Sequence, residues 1–213
     1  MLTRDYFFEF AGMPKSGKTT IFDIVSHYLK RSGIKIEEYH GGGRYSPIDK
    51  SALASLNMFL GGRSVEFILV STEREKIGHR IFLMDRGVYD RCIFTIALQR
   101  MGKISLQETE TTLNYLTLPR IVQRIDGVFL FVTDPEISIS REYKNKLVEQ
   151  KGRVMNTEFL EILRAISLSE TQEIQQSFSG VQIIDTKELD GKLIDCARLV
   201  SDSIMAKIGV SNA

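Results

Sequence analysis

"FAGMPKSGKTTIF", residues 10–22, decides the fold. From Gly12 to Thr19 it fits G-x-x-x-x-G-K-[ST], the spacing in which backbone N–H groups wrap a phosphate at a helix N-terminus. A chance match in a strand–turn–helix that binds nothing would look the same, so the flanks decide. Upstream, "YFFEFA" (6–11) is short and aromatic and runs straight into glycine, as a strand does; Glu9 is a blemish in what should be a buried strand. Downstream, Ile21, Ile24, Val25 and Leu29 fall at helical spacing, and Gly33 stops the run. Strand, turn and helix are the context the motif requires. Gly12, Pro14, Lys15, Ser16, Gly17, Lys18, Thr19 and Thr20 are therefore the expected ATP contacts. Lys18 reaches the β- and γ-phosphates, and the Thr19 hydroxyl holds Mg²⁺.

The pattern continues outward. "IKIEEY" (34–39), "RIFLMD" (80–85), "GVFLFV" (127–132) and "GVQIID" (180–185) read as four further strands. Between them lie helical patterns: two stretches over 49–78 separated near Gly61-Gly62, then 89–101, 105–125, 156–178 and a closing helix over 189–208. Strands alternating with helices predict an α/β domain, a parallel sheet with helices on both faces. With 213 residues and no repeat or linker, we expect one domain over 1–213. The net charge of +1 gives no global field for nucleic acid or anionic membrane, although a local basic patch stays open. Cys92 and Cys196 lie far apart, without metal-ligand spacing, which favours a reduced, cytoplasmic setting. Asp5 and Glu9 argue against a secretory signal, and no apolar run approaches bilayer-spanning length. His27 and His79 read as helix-surface residues.

Two further signals narrow the class. "FLMDRGVYDR" (82–91) ends an apolar strand on Asp85, well placed to orient Mg²⁺. Arg86 would then face the crevice where α/β sheets bind ligands. The competing reading makes Asp85 a helix cap and Arg86 a solvated charge. GTPase base-recognition motifs of the N-K-x-D kind are absent. "VTDPEISISREYKNKLVEQKGR" (132–153) carries Arg141, Lys144, Lys146, Lys151 and Arg153. It reads either as a solvated helix or as a basic lid, about 141–155, that closes over ATP and excludes water.

In order and spacing, these motifs resemble the thymidylate kinase-like group of P-loop nucleoside and nucleotide kinases, along the whole chain. "GMPKSGKTT" is similar to that group's P-loop, with Lys15 where some members carry a catalytic arginine. "HGGGRYSP" is similar to its substrate loop. "GGRSVEFI" (61–68) resembles the segment whose arginine grips an acceptor phosphate, which nominates Arg63. "MDRGVYD" resembles its D-R-Y motif, and "DPEISISREYK" the entry to its lid. The resemblance implies the three-layer P-loop NTPase fold with strand order 2-3-1-4-5. It also implies an Mg²⁺- and ATP-dependent phosphotransferase with Lys18, Lys15, Asp85, Arg86 and Arg141 as catalytic residues.

The departures concern the acceptor. Pro14 replaces an acid that contacts deoxyribose, Gly87 stands where the group has tyrosine after D-R, and Thr95 lies near a missing Tyr-Gln pair. "DRGVYDRCIF" also resembles the E-R-S segment of deoxynucleoside kinases, which phosphorylate a hydroxyl. For such a reaction Glu38, His40 and Asp90 are candidate bases, each with a plain structural alternative. The aromatic residues Tyr45, Phe59, Phe67, Phe94 and Tyr115 offer faces for stacking on a base, but each reads more readily as core and stays off the site list. The expectation is a kinase acting on a nucleoside monophosphate, with Arg63, Arg86, His40 and Asp90 on the acceptor and Thr19 and Asp85 on the metal. The alternatives are a kinase acting on the hydroxyl of a nucleoside, a modified nucleic-acid base or another small metabolite, and a regulatory nucleotide-binding protein. A homodimer is left open.

Overall fold

Five strands form one parallel sheet in the order β2-β3-β1-β4-β5. They are β1 Tyr6–Gly12, β2 Ile36–His40, β3 Ile81–Asp85, β4 Ile125–Val132 and β5 Val181–Asp185. The computed structural model describes residues 2–43, 46–73, 78–144, 155–170, 172–187 and 192–209. The helices are α1 Lys18–Arg31, α2 Leu53–Glu73, α3 Val88–Arg100, α4 Leu106–Leu116 and α5 Pro119–Val122. After β4 come α6 Pro135–Lys144, α7 Thr157–Ala165, α8 Gln172–Ser177 and α9 Leu193–Lys207.

β1, β3 and β4 are buried along their whole length, which is why they read as largely apolar runs, broken only by Glu9, Asp85 and Asp126. Successive side chains still point to opposite faces. Phe8 and Phe10 join Leu83, Phe129 and Phe131 under α1 and α9. Phe7 and Ala11 join Phe82, Met84, Val128 and Leu130 under α2, α3 and α7. The alternation puts Glu9 on the α3 side, fully buried.

Five expectations from the sequence need correction. α2 is one helix running through Gly61-Gly62. Gly61 is buried there because a side chain would come within 3.1 Å of Leu116 Cδ2; what reads as a stop is a packing contact. By length and composition α2 also reaches spanning size, with mean hydropathy 1.3 and a third of that window buried. In this structure Asn57, Leu60, Val65 and Ile68 pack it into the domain, while Arg63 and Glu66 pair at mid-helix. The pattern over 105–125 breaks at Thr117 and Leu118, where Pro119 opens α5. The pattern over 156–178 divides into α7, a π-helical turn at Ile166–Glu170, and α8. His79 lies in the connection before β3, near Asp5, and not on a helix.

Candidate active site

The P-loop leaves β1 at Gly12 with φ 121°. A methyl group there would sit 2.1 Å from the Phe131 carbonyl oxygen, so only glycine lets β1 turn this close to β4. The Ser16 hydroxyl donates to the Met13 carbonyl at 2.9 Å, closing the loop from within. From outside, Ser138 of α6 donates to the Pro14 carbonyl at 2.7 Å. Two more α6 side chains reach the same loop. Glu142 pairs with Lys15 at 2.8 Å. Arg141 donates to the Lys15 carbonyl at 3.4 Å and to the Thr186 carbonyl at 3.0 Å. The root of the segment read as a lid is thus a helix docked on the P-loop. The remainder, 145–154 with Lys146, Lys151 and Arg153, lies outside the described residues, as does Tyr45.

Asp85 ends β3 beside Phe10 of β1, so its carboxylate faces the P-loop helix. Lys18 Nζ lies 2.5 Å from Asp85 Oδ1, and the Thr19 hydroxyl donates to Asp85 Oδ2 at 2.9 Å. Burial and the nearby Arg86 lower the Lys18 pKa, while Asp85 opposes them. Burial pushes Asp85 up, but Lys18 and Arg86 outweigh it and hold the carboxyl below its usual range. Thr19 and Asp85 are two hard oxygen donors, and Mg²⁺ in phosphate sites typically takes one or two protein groups plus phosphate and water oxygens. Among the described residues no group of three or more His, Cys, Asp and Glu could hold a metal ion by itself.

Next to this pair lies a second charged group, at the corner between β3 and α3. Asp90 is fully buried. Its carboxylate accepts from the Gly12 N–H at 2.8 Å, from Arg86 Nη1 at 2.9 Å and from Arg91 Nη2. Burial pushes its pKa up, yet the two arginines hold it below the usual range. Asp90 therefore joins the P-loop to α3. It is turned inward, where the sequence suggested a substrate contact or base. Glu9 accepts the N–H groups of Gly87 at 2.9 Å, Tyr89 at 2.9 Å and Asp90 at 2.8 Å. The apparent blemish in β1 serves the first turn of α3.

Beside this corner opens a cavity of about 350 Å³. Leu53, Leu56, Asn57 and Leu60 of α2 form one wall; Arg91, Phe94 and Leu98 of α3 form another. Pro14, Lys15 and Arg86 close the P-loop end, and Met155 and Phe159 the far side. The guanidinium carbons of Arg86 and Arg91 lie 5.4 and 4.9 Å from the Phe94 ring centroid. The Asn57 side-chain amide donates to Thr95 Oγ1 at 2.9 Å, which fixes its orientation toward α3. The volume falls in the range of small-ligand sites, apolar with a few convergent polar groups.

Arg63, His40 and Glu38 do not line this cavity. Helical spacing carries Arg63 to the outer face of α2, exposed and 3.6 Å from Glu66. Strand alternation turns Glu38 and His40 toward α1: Glu38 bonds Ser26 and Lys30, and the His40 ring meets the Phe22 edge 5.3 Å away. Conversely, Asn57 and Arg91 line the cavity without having been singled out, and Phe94, weighed for base stacking but read as core, lines it too. Their spacing on α2 and α3 was visible, but a core face gives the same periodicity.

No protein-family model matches the chain, and no curated protein matches it by sequence. Solved structures do. Deoxyadenosine kinase from M. mycoides with bound dCTP superposes with a TM-score of 0.66 at 15% identity, over 94% of this chain and 99% of that one. The same enzyme with bound dATP gives 0.62 at 16% identity, over 96% and 99%. With products dCMP and dCDP it gives 0.64 at 15% identity, over 94% and 99%. The chain shares the fold of these structures, a five-stranded parallel sheet in the order 2-3-1-4-5 with helices on both faces, as expected for the three-layer P-loop fold.

Proposed function

We propose that this chain is an ATP-dependent kinase that transfers a phosphoryl group to a hydroxyl of a nucleoside-type acceptor. The position of Arg63 carries the choice of acceptor. A monophosphate acceptor calls for arginines free to grip it by bidentate hydrogen bonds. Arg63 faces solvent on the outer side of α2, and Arg86 and Arg91 are already compensated by Asp90. Lys15, Lys50 and Glu142 line the cavity, which is otherwise an apolar slot with Asn57, Arg91 and Phe94, suited to a flat, uncharged ring. The deoxynucleoside kinase fold supports this reading over the nucleoside monophosphate acceptor expected from the sequence.

In this reading Lys18 would turn from Asp85 to the β- and γ-phosphates, and Thr19 and Asp85 would hold Mg²⁺, which would supply charge neutralisation at the phosphates. Arg141, fixed over the P-loop, and Lys15 supply cations beside the transferring group. A loose phosphoryl-transfer transition state asks little of a general base, and Asp85 is the carboxylate that meets Lys18 and Thr19. The test is ADP release with Mg²⁺ and ATP across deoxynucleosides, ribonucleosides and their monophosphates. Turnover with a nucleoside is expected; turnover only with monophosphates restores the other acceptor.

A further inference from the structure

Helix α3 begins with Gly87 as its N-cap, and that residue has no side chain to satisfy the first N–H groups of the helix. Satisfaction comes from another strand. Glu9 Oε1 takes the N–H of Gly87 and of Asp90, and Oε2 takes that of Tyr89. We propose that Glu9 is a positioning residue whose carboxylate, gathering these three N–H groups, sets the spacing between Arg86 and Asp90 at the acceptor cavity. The proposal rests on the kinase reading only for its effect on turnover.

The geometry makes the link direct. One oxygen of Glu9 binds the peptide immediately after Arg86 and also the peptide of Asp90, whose carboxylate receives the Arg86 guanidinium. Arg86 itself is held at φ 68°, a left-handed conformation uncommon for a residue with a side chain. Such a backbone persists only where its surroundings over-determine it. Here the Arg86 N–H donates to the Phe10 carbonyl at 2.9 Å, and the next N–H donates to Glu9. β1 thus holds both peptides flanking Arg86.

Glu9 also explains a departure in the motif. A methyl group on Gly87 would come within 2.6 Å of Glu9 Oε2 and 2.9 Å of Met84 Cε. The residue after Asp85-Arg86 is glycine because the carboxylate occupies the space where a side chain would begin. Glu9 and Gly87 are one device, separated by 78 residues.

Amide exchange on the unmodified chain gives the first test. The Gly87, Tyr89 and Asp90 amides should exchange slowly, although N-terminal helix amides ordinarily have no intrahelical partner. Fast exchange at all three overturns the proposal whatever the enzyme's activity. In Glu9→Gln an amide nitrogen replaces one acceptor oxygen, so exchange at these positions should rise. The acceptor KM should also rise about tenfold, and more than the ATP KM, a coupling of ordinary size for groups in one network. Unchanged acceptor KM, or an equal rise in both, rejects the positioning role. Gly87→Ala should lower kcat/KM for the acceptor by about tenfold in the parent chain and by much less in a Glu9→Ala background. Strictly additive losses separate the two residues and defeat the pairing. If the parent chain turns over no nucleoside while the three amides remain protected, the kinase reading fails and the capping role stands.

Discussion

Two ion-paired groups lie side by side under the P-loop, and they are built differently. At the head of α1, Lys18 and Thr19 share Asp85, whose partners are the groups that a phosphate and a metal would claim. At the β3–α3 corner, Asp90 binds Arg86, Arg91 and the Gly12 N–H, while Glu9 binds three backbone N–H groups. In the proposed reading the first set exchanges partners when ATP and Mg²⁺ bind, while the second, whose partners all lie within the chain, keeps its geometry. A phosphotransferase needs both: charges that move onto the phosphates, and a frame that does not move while they do so.

The largest expected effect falls on the fixed frame. Asp90→Asn takes from Arg86 and Arg91 the buried carboxylate that both of them bond, and breaking such a pair typically costs about 3–5 kcal/mol. Urea unfolding at neutral pH reads this directly. Asp85→Asn should cost less, since it deprives one cation, Lys18, of its carboxylate where Asp90→Asn deprives two. Equal losses would erase the distinction between the two groups.

Next comes the exchangeable set. Lys18→Ala removes the ammonium that stabilises charge on the phosphates, and loss of one such stabiliser typically costs about 10²–10³ in rate. Circular dichroism should stay that of the parent. Parent-level ADP release by a folded Lys18→Ala variant would end the kinase reading.

The third prediction uses pH. Burial pushes the Glu9 carboxyl up from 4.5 to about 7, against its bonds from Asp90, Tyr89 and Gly87. Asp90 and Cys92 face it as acids, and Arg91 and Arg86 as cations. Tyr39 faces it from β2. Because the folded pKa lies above the unfolded one, the folded state binds the extra proton between pH 4.5 and 7. The Glu9 contribution to stability is therefore greatest at low pH, falls as pH rises to about 7, and is flat above. The full change is about 3 kcal/mol by linkage. Urea midpoints of parent and Glu9→Gln across this window should converge or diverge accordingly. A constant difference means that Glu9 does not titrate there.

How much of this was readable in the sequence depends on what each part is made of. The five strands were readable because a parallel sheet buried on both faces concentrates apolar residues in short runs. The P-loop was readable because its glycines, lysine and threonine are contiguous. The cavity between α2 and α3 was not, since Asn57, Arg91 and Phe94 come from two helices whose inward faces follow the same period as any core. Glu9 was noticed only as a misfit, because its partners are backbone N–H groups 78 residues away, which leave no mark in side-chain composition. Arg63 was placed by motif analogy, and the actual phase of α2 moved it outward.

That displacement yields the smallest expected effect, and it decides the acceptor. Arg63 is half exposed, and its pairing with Glu66 is of the surface i, i+3 kind, worth a few tenths of a kcal/mol. Arg63→Ala should shift the urea midpoint within the scatter typical of surface changes, about 0.5 kcal/mol. It should also leave the acceptor KM unchanged, because the side chain does not line the cavity. Arg86→Lys tests the opposite case. It keeps one charge beside Asp90 but loses the planar fork and the contact over Phe94, so the acceptor KM should rise while ATP binding changes little. Steady-state kinetics on the two variants with one nucleoside acceptor compares them directly. A large rise in acceptor KM for Arg63→Ala would mean that α2 brings this arginine into the site when ligand binds, and would return the monophosphate acceptor to first place.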